Sequence, residues 1–229
     1  MSQIRVITGN IFTSSCQTIV NTINCEGVMG AGLALECRLR YPKMFEQYAR
    51  LCADGQIDIG KLWLFRDASR WILNFPTKKQ WRQPSHISYL KLGLQKFMQT
   101  YREKSIESVA FPLLGAQHGG LDPARALELM QGYLASCTIP VEIYRYDPTA
   151  ADDVYDRFKA LLASSTDEQI RNATGLTGHR IGLIRTAIAS PRVRQLNQLA
   201  QVRGIGDKTL ECAFSLTRMA SVPGQVSLL

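Results

Sequence analysis

Residues 20–35 join an apolar, β-branched run to an amphipathic helix through a loop that contains three glycines. This order places bare backbone N–H groups at a helix N-terminus, where an anion, usually a phosphate, binds. Two asparagines, Asn21 and Asn24, stand just before the loop. Ligands of open α/β sheets bind at the carboxyl ends of strands. The segment therefore predicts a site for a phosphorylated small molecule at the end of a strand.

Strand and helix patterns alternate over residues 3–147. The runs rich in β-branched and aromatic residues, which predict strands, are 4–8, 18–22, 62–65, 71–75, 108–112 and 141–146. Apolar residues recur with helical spacing in 31–40, 43–53, 85–103 and 123–136. Asp122-Pro123 is typical of a helix start, with Asp as the N-cap and Pro at the first helical position. We expect a layered α/β domain with a largely parallel sheet over residues 1–148.

Residues 149–229 lack strand patterns and are predicted to form short helices. Residues 166–169 have the form of a capping box. Two glycine-containing segments, 173–181 and 199–210, are loosely similar, which suggests a duplicated helix-turn-helix unit. We therefore expect a small all-helical domain, followed by a loose tail at 223–229.

The charge and the cysteine usage indicate the partners and the cellular setting. A formal net charge of +8 favours a polyanionic partner, although an inert basic surface would have the same composition. The six cysteines show no C-x-x-C spacing, and the three histidines do not cluster with them. We therefore expect no metal, no cofactor, no disulfide framework and a reducing cytoplasm. No apolar run is long enough to span a bilayer, so no membrane association is expected.

Residues 204–209 resemble the hairpin of helix-hairpin-helix DNA-binding modules. A tight Gly-x-Gly turn lets backbone N–H groups and the next helix N-terminus reach a DNA phosphate, in contacts that are independent of base sequence and sensitive to salt. The candidate DNA-binding residues are Arg203, Gly204, Gly206, Lys208 and Thr209. An excess of arginine between residues 171 and 203 favours DNA binding. The alternative is a plain αα-hairpin whose glycines only cap helices.

A second glycine loop, residues 115–120, repeats the first arrangement between a predicted strand and a capped helix. A pair of glycines alone usually indicates a turn. Two glycine loops that face each other, however, would hold a diphosphate from both sides. The pairing of the loops is what favours a phosphate site here.

Lys78 follows another predicted strand, beside Lys79, Trp81 and Arg82. A lysine beside a phosphate site neutralises charge, and it acts as a nucleophile if partial burial and cationic neighbours lower its pKa. We expect Lys79 and Arg82 to be such neighbours. The alternative is a solvated basic loop.

Four motifs agree in order and spacing with one branch of a known family. They are Gly9-Asn10, residues 20–24 followed by 27–32, residues 74–78 and residues 119–122. Over about the first 147 residues they resemble the DarG-type antitoxin branch of the macrodomain family, which also includes the terminal ADP-ribose glycohydrolase. The resemblance implies a three-layer macrodomain fold with a mixed, largely parallel central sheet.

The resemblance also implies an ADP-ribose site and a mechanism. Asn10 would lie near the adenine, Asn24 would contact the distal ribose, and the two glycine loops would hold the diphosphate. In this branch the lysine that matches Lys78 attacks the anomeric carbon of the distal ribose, and a lysyl–ADP-ribose adduct then hydrolyses. The implied substrate-binding residues are Asn10, Asn21, Asn24, Gly30, Ala31, Gly32, Thr77, Gly115, Gln117, Gly119 and Gly120.

The second loop departs from this branch, in which it usually reads G-C-G-N-G-G. Here it reads G-A-Q-H-G-G, and Gln117 replaces a glycine that lets the backbone approach the ligand, so the pocket would be narrower or differently shaped. His118 is a candidate catalytic acid/base or substrate contact, or else an exposed loop histidine. Glu26 is a further candidate acid/base, or else a solvated loop residue.

Three functions fit these residues. The leading prediction is a hydrolase of antitoxin or DNA-repair type that removes ADP-ribose from a modified DNA base, with Lys78 as nucleophile and the C-terminal unit holding the DNA. Its partners would be DNA, the ADP-ribose moiety and a cognate ADP-ribosyltransferase toxin, and we expect a monomer. The alternatives are a DNA glycosylase/lyase that uses the same lysine on a modified nucleotide, and a non-catalytic ADP-ribose reader.

Overall fold

The computed structural model describes residues 4–219, apart from the side chain of Met219. The chain divides into two compact units, Met1–Asp147 and Pro148–Leu229. The predicted tail at 223–229 lies outside the described residues. Within residues 4–219, none of the helices has the length and apolar character needed to cross a membrane.

The first unit is built on one mixed sheet of six strands within residues 4–147. They are β1 (Ile4–Gly9), β2 (Thr18–Ile23), β3 (Trp63–Arg66), β4 (Trp71–Pro76), β5 (Val109–Pro112) and β6 (Val141–Tyr146). The strand order is β1-β6-β5-β2-β4-β3, and β3 runs antiparallel to β4 while the other neighbouring pairs are parallel. The predicted strands are all present, and the mixed, largely parallel sheet is confirmed.

Helices cover both faces of this sheet. They are α1 (Gly32–Arg40), α2 (Pro42–Ala53), α3 (Ile87–Thr100) and α4 (Pro123–Leu134). Adjacent residues of a strand point to opposite faces, so Ile19 lies in one core with Tyr48 of α2, and Val20 lies in the other with Leu94 of α3. The unit therefore has three layers.

Two helices are shorter than predicted. The prediction of a helix over 85–103 is wrong at both ends, because His86 is an extended N-cap and turns replace the helix after Thr100. Helix α4 ends at Leu134 instead of residue 136. Its start is as predicted, since the Asp122 side chain accepts the N–H of Arg125 at 2.8 Å.

The order of the strands brings three loops to one edge of the sheet. Strands β5, β2 and β4 are parallel neighbours, so their carboxyl ends lie side by side. The first glycine loop follows β2, the segment with Lys78 follows β4, and the second glycine loop follows β5. The three segments singled out in the sequence are thus neighbours in space.

The regular elements of the second unit within residues 148–219 are all helices. They are α5 (Asp153–Ser164), α6 (Asp167–Thr174), α7 (Gly178–Ala189), the 3-10 helix Leu196–Gln201 and α8 (Asp207–Met219). The predicted capping box starts α6: the Thr166 hydroxyl accepts the N–H of Gln169 at 3.2 Å, and the Gln169 side chain accepts the N–H of Thr166 at 2.8 Å.

Candidate active site

A cleft of about 390 Å³ lies at the carboxyl ends of β2, β4 and β5. The first glycine loop and the start of α1 form one wall, and the segments that follow β4 and β5 form the rest. It is lined by Thr22, Ile23, Asn24, Val28, Gly30, Ala31, Leu33, Ala34, Thr77, Lys78, Trp81, Ser85, Pro112, Leu113, Gly115, Gln117, His118 and Gly119. A cleft at this edge is the place where open α/β sheets bind ligands.

The Asn24 side chain holds the first loop in shape. Its Oδ1 accepts the N–H groups of Glu26 at 2.9 Å and Val28 at 3.3 Å, and its Nδ2 donates to the carbonyl of Val28 at 2.5 Å. The Tyr48 hydroxyl donates to the Asn24 carbonyl at 2.8 Å. These hydrogen bonds therefore stabilise the loop conformation that leads into α1.

Helix α1 begins beside the cleft with no side-chain cap. Its N-cap is Ala31, which offers no acceptor, so the first N–H groups of the helix remain available to a ligand. Leu33 and Ala34 of the first turn line the cleft. The uncapped helix start that the sequence predicted is therefore present, and the binding of an anion to it stays a prediction.

The amine of Lys78 lies between two backbone carbonyls. Its Nζ donates to the carbonyl of His118 at 2.5 Å and lies 3.5 Å from that of Trp81. The preceding residue, Thr77, is buried and bonds its N–H to the carbonyl of Ile23 at the end of β2, at 2.9 Å. The end of β4 therefore positions the backbone of Lys78, and the two carbonyls position the amine of this half-buried side chain.

Burial lowers the pKa of Lys78 below its ordinary value. The sequence predicted this effect from partial burial and from the cationic neighbours Lys79 and Arg82; the burial is confirmed, and the role given to Lys79 and Arg82 is wrong. Lys79 is exposed and pairs with Asp58 at 2.8 Å, and the Arg82 guanidinium lies 4.6 Å from the centre of the Trp81 ring. Loss of water around the Lys78 side chain, without charge repulsion from Lys79 or Arg82, is therefore the cause.

The second glycine loop is closely packed. Gly115 has a φ of +70°, and its carbonyl accepts the N–H of Leu121 at 3.0 Å. A Cβ added at Gly119 would lie 2.5 Å from the Oγ of Ser85 and closer still to the Gly115 carbonyl oxygen. The carbonyl of Gly119 accepts the N–H of Ser85 at 2.9 Å. Only glycine fits at position 119 in this conformation.

His118 joins the two glycine loops. Its side chain is exposed, and its imidazole lies so close to Gly32 that a Cβ added there would be 2.7 Å from Cδ2 and 2.8 Å from Nε2. It contacts Lys78 through its backbone carbonyl. The two loops therefore face each other across the start of α1.

The cleft collects nine of the predicted catalytic and substrate-binding residues. They are Asn24, Gly30, Ala31, Thr77, Lys78, Gly115, Gln117, His118 and Gly119. Gly32 and Gly120 are not among its lining residues, and Gly32 lies beneath the His118 ring. Sequence reasoning missed Ser85, which no motif marks, and it noted Trp81 without assigning it to the site.

Two predicted asparagines have structural roles outside the cleft lining. Asn21 is fully buried, and its Nδ2 donates to the Oδ1 of Asn74 at 2.9 Å, which ties β2 to β4. The Oδ1 of Asn10 accepts the N–H of Phe12 at 3.0 Å and caps the 3-10 helix Ile11–Thr13. Glu26 is exposed, and its carboxylate accepts the N–H of Trp81 at 2.8 Å.

The second unit contains two glycine hairpins of similar build. Gly175, with a φ of +72°, ends α6, and Gly204, with a φ of +90°, precedes α8. The apolar residue after each glycine, Leu176 or Ile205, is buried. Of the candidate DNA-binding residues, the exposed ones are Arg203, Gly204, Gly206 and Lys208.

Thr209 does not present its side chain to a ligand. It is fully buried, and its hydroxyl accepts a hydrogen bond from Arg180 at 3.1 Å. Arg185 pairs with Asp167 at 3.0 Å and also donates to backbone carbonyls. Part of the arginine excess therefore stabilises the unit itself.

Residues 20–130 match the family model described as "Macro domain". The solved macrodomain of Mycobacterium tuberculosis DarG has 36% identity and a TM-score of 0.61 to this chain, and the match covers 63% of this chain and 98% of that structure. The chain belongs to the macrodomain family. The resemblance to DarG-type macrodomains, inferred from the four motifs in the first unit, is confirmed. The helix-hairpin-helix interpretation of the second unit remains a prediction.

Curated relatives and a ligand complex extend the comparison. The M. tuberculosis protein named "DNA ADP-ribosyl glycohydrolase" is 44% identical over 118 residues, 50% of this chain and 34% of that protein. The Thermosipho africanus protein named "DNA ADP-ribosyl transferase-DNA ADP-ribosyl glycohydrolase fusion protein" is 31% identical over 62% of this chain and 41% of its own length. The solved structure of Thermosipho africanus DarTG in complex with ADP-ribose has 31% identity and a TM-score of 0.59, covering 62% of this chain and 42% of that one. The chain thus spans between a third and a half of these relatives.

Proposed function

We propose that this chain is a DNA ADP-ribosyl glycohydrolase that removes ADP-ribose from a modified DNA base through Lys78. The observation that carries the proposal is the half-buried Lys78, whose amine is held beside the second glycine loop in a cleft at the strand ends. The names of the relatives at 44% and 31% identity support the reaction class. The complex of the T. africanus relative with ADP-ribose supports the ligand.

Each step of the proposed reaction uses groups found in the cleft. The start of α1 and the second glycine loop would hold the diphosphate, and the first loop would place the distal ribose. The neutral Nζ of Lys78 would form a bond to the anomeric carbon while the bond from that carbon to the base breaks. The electron pair leaves with the base, which takes up the proton that the bonded nitrogen loses. Water would then attack the same carbon, one of its protons would pass to the leaving nitrogen, and the neutral lysine and free ADP-ribose would be released.

Mass spectrometry of an ADP-ribosylated oligonucleotide incubated with the chain tests this proposal. We expect the modified strand to return to its unmodified mass, with free ADP-ribose as the second product. Persistence of the modified strand at stoichiometric protein would contradict the proposal. Loss of the base together with the ADP-ribose would indicate cleavage of the other glycosidic bond.

The rate of release should rise with pH and then level off. The neutral amine attacks, and its fraction increases until the pH passes the pKa of Lys78. Because burial lowers this pKa, the plateau should begin below the ordinary lysine value of about 10.4. Single-turnover rates across the neutral and alkaline range would measure it. A rate that falls over this range would mean that the protonated amine is the active form.

The position of His118 favours a second candidate, a glycosylase/lyase that acts on a modified nucleotide. The imidazole lies against Gly32, where the diphosphate would have to bind, and a narrower pocket would suit a smaller ligand. Isothermal titration with ADP-ribose separates the two. Binding with turnover supports the leading proposal, no binding supports the glycosylase, and binding without turnover supports a reader.

We also propose that the second unit binds DNA phosphates through the hairpin around Gly204. Residues 169–206 contain six arginines and no acidic residue: Arg171, Arg180, Arg185, Arg192, Arg194 and Arg203. Arg203 and Lys208 are exposed on either side of an exposed glycine with a left-handed φ. Such turns offer backbone N–H groups to phosphate, and flanking cations add salt-dependent affinity.

Replacing both Arg203 and Lys208 by alanine should weaken DNA binding about tenfold and reduce the salt dependence by about 0.9 per lost phosphate contact. Fluorescence anisotropy with labelled single- and double-stranded oligonucleotides at several salt concentrations would measure both quantities. The matched control removes two exposed cations of α5, Arg157 and Lys159. An equal loss in both double variants would point to general charge attraction and against the hairpin.

The partner that we propose is a DNA ADP-ribosyltransferase, which would make the substrate. The fusion relative carries both activities in its name. Cells that express such a transferase should grow when this chain is co-expressed. Failure of the wild-type chain to restore growth, at a level of protein that clears modified DNA in vitro, would contradict this pairing.

A further inference from the structure

Trp81 is an exposed aromatic side chain at the cleft. It is 46% exposed, although tryptophan is usually highly buried, and it is one of the residues that line the cleft. It occupies the turn 80–83, in which the N–H of Gln83 donates to the carbonyl of Gln80 at 3.1 Å. The apolar core does not account for this ring.

The backbone of Trp81 is held on both sides. Its N–H donates to the Glu26 carboxylate at 2.8 Å, and its carbonyl lies 3.5 Å from the Nζ of Lys78. The Arg82 guanidinium lies 4.6 Å from the centre of its ring, within the range of a cation–π contact. The backbone that carries the ring is therefore held before any ligand arrives, which reduces the entropy lost on binding.

Because Trp81 lies next to Lys78, the proposed reaction indicates which part of the substrate its ring would contact. In the proposed reaction the Nζ of Lys78 attacks the anomeric carbon, and the leaving base is bonded to that same carbon. A base in that position lies within a few bond lengths of the amine and therefore close to Trp81. Aromatic side chains stack on nucleobases whatever their identity, and arginine contacts the adjoining phosphates.

We propose that Trp81 is the stacking platform for the DNA base that leaves from ADP-ribose, with Arg82 at the DNA backbone and Glu26 as the residue that positions the turn. The inference rests on the proposed function. It adds the residues that would contact the DNA side of the bond that breaks. The first and second glycine loops would select ADP-ribose, and Trp81 would select a nucleic acid as the leaving group.

Substituting Trp81 tests the stacking directly. We expect Trp81→Ala to raise the KM for an ADP-ribosylated single-stranded oligonucleotide by about 10- to 100-fold, as the loss of one stacked base does. The Kd for free ADP-ribose, which has no base at that end, should stay within about twofold. Trp81→Phe keeps an aromatic face and should retain most of the affinity. Leu92→Ala, which removes an apolar side chain that is 50% exposed and is not among those that line the cleft, is the matched control.

Two Glu26 variants test its positioning role. Glu26→Gln keeps an oxygen that accepts the Trp81 N–H and should behave like the wild type, whereas Glu26→Ala should raise KM without changing kcat. Tryptophan fluorescence gives an independent measurement: the modified oligonucleotide should quench the wild type more than Trp81→Ala. A change in kcat alone would place Glu26 in the chemistry and overturn its positioning role.

Binding without turnover separates this inference from the proposed function. The Lys78→Ala variant cannot use the lysine, so its affinity for the modified oligonucleotide reports contacts only. Adding Trp81→Ala to it should weaken that binding by the same factor, about 10- to 100-fold. An unchanged affinity, or an equal loss for free ADP-ribose, would overturn the stacking role. Absence of release by the wild type would contradict the proposed function and leave this comparison intact.

Discussion

Replacing Lys78 by alanine is expected to reduce the single-turnover rate of ADP-ribose release from modified DNA by at least about a thousandfold. Without the amine, water would have to displace the base directly, with no covalent step to divide the barrier. The affinity for free ADP-ribose should change little, because the Asn24 loop and the start of α1 do not depend on this side chain. Quenched-flow sampling with mass spectrometry of the oligonucleotide would give the rate.

Lys78→Arg separates nucleophilicity from charge. Arginine keeps a positive charge at this position of the cleft but is not deprotonated in proteins, so it cannot attack. We expect it to be as inactive as the alanine variant while binding ADP-ribose. In the wild type, rapid acid quenching should capture protein that carries one ADP-ribosyl group, and peptide mapping should place it on Lys78. Release at the wild-type rate by either variant would remove Lys78 from the mechanism.

The position of the site was predictable because it depends on the ends of strands. Each of the three segments follows a run of β-branched and aromatic residues, and parallel strands end at the same edge of a sheet. The neighbour order β5-β2-β4, which sets the segments side by side, is a tertiary property that no local pattern contains. Periodicity therefore could not bring the three segments together, whereas the family resemblance did so by implying one ADP-ribose site for all of them.

The role of each asparagine was not predictable from β2 alone. Five of the six residues of this strand are buried, because both faces of the sheet are covered. Polar and apolar residues therefore do not alternate along it, and the sequence does not show which face each side chain occupies. Asn21 pairs in register with Asn74 of β4, and their side chains bond to each other. Asn24, three residues later, has left the strand and shapes the loop.

Neighbours in sequence were also a poor guide to the surroundings of Lys78. Lys79 and Arg82 lie close along the chain, but their side chains contact Asp58 and the Trp81 ring. Of the two carbonyls beside the Lys78 amine, that of Trp81 is three residues away along the chain, but the nearer one belongs to His118, forty residues away. This contact is made by a backbone atom of the second glycine loop. It depends on the conformation of that loop and not on the side chain at position 118, so the sequence does not show it.

Replacing Gly119 by alanine is expected to lower the affinity for ADP-ribose by about a hundredfold, or about 2.7 kcal/mol. The new Cβ would lie 2.5 Å from the Oγ of Ser85 and nearer to the carbonyl oxygen of Gly115. The Ser85 Oγ and the Gly115 carbonyl oxygen cannot move away easily, because Ser85 is 3% exposed and the Gly115 carbonyl accepts the N–H of Leu121. The loop backbone must therefore move, and with it the wall that faces α1. Isothermal titration would measure the loss.

Gly120→Ala is the matched control for this substitution. Gly120 has a φ of +72°, so alanine there costs about 1 kcal/mol of folding stability, but its added Cβ would meet no atom within 4 Å. We expect a lower melting temperature with nearly unchanged affinity. Adding Ser85→Ala to Gly119→Ala removes the Oγ and should recover part of the lost affinity. If Gly119→Ala and Gly120→Ala lose the same affinity, backbone strain alone governs the loop and the close contact with Ser85 is irrelevant to binding.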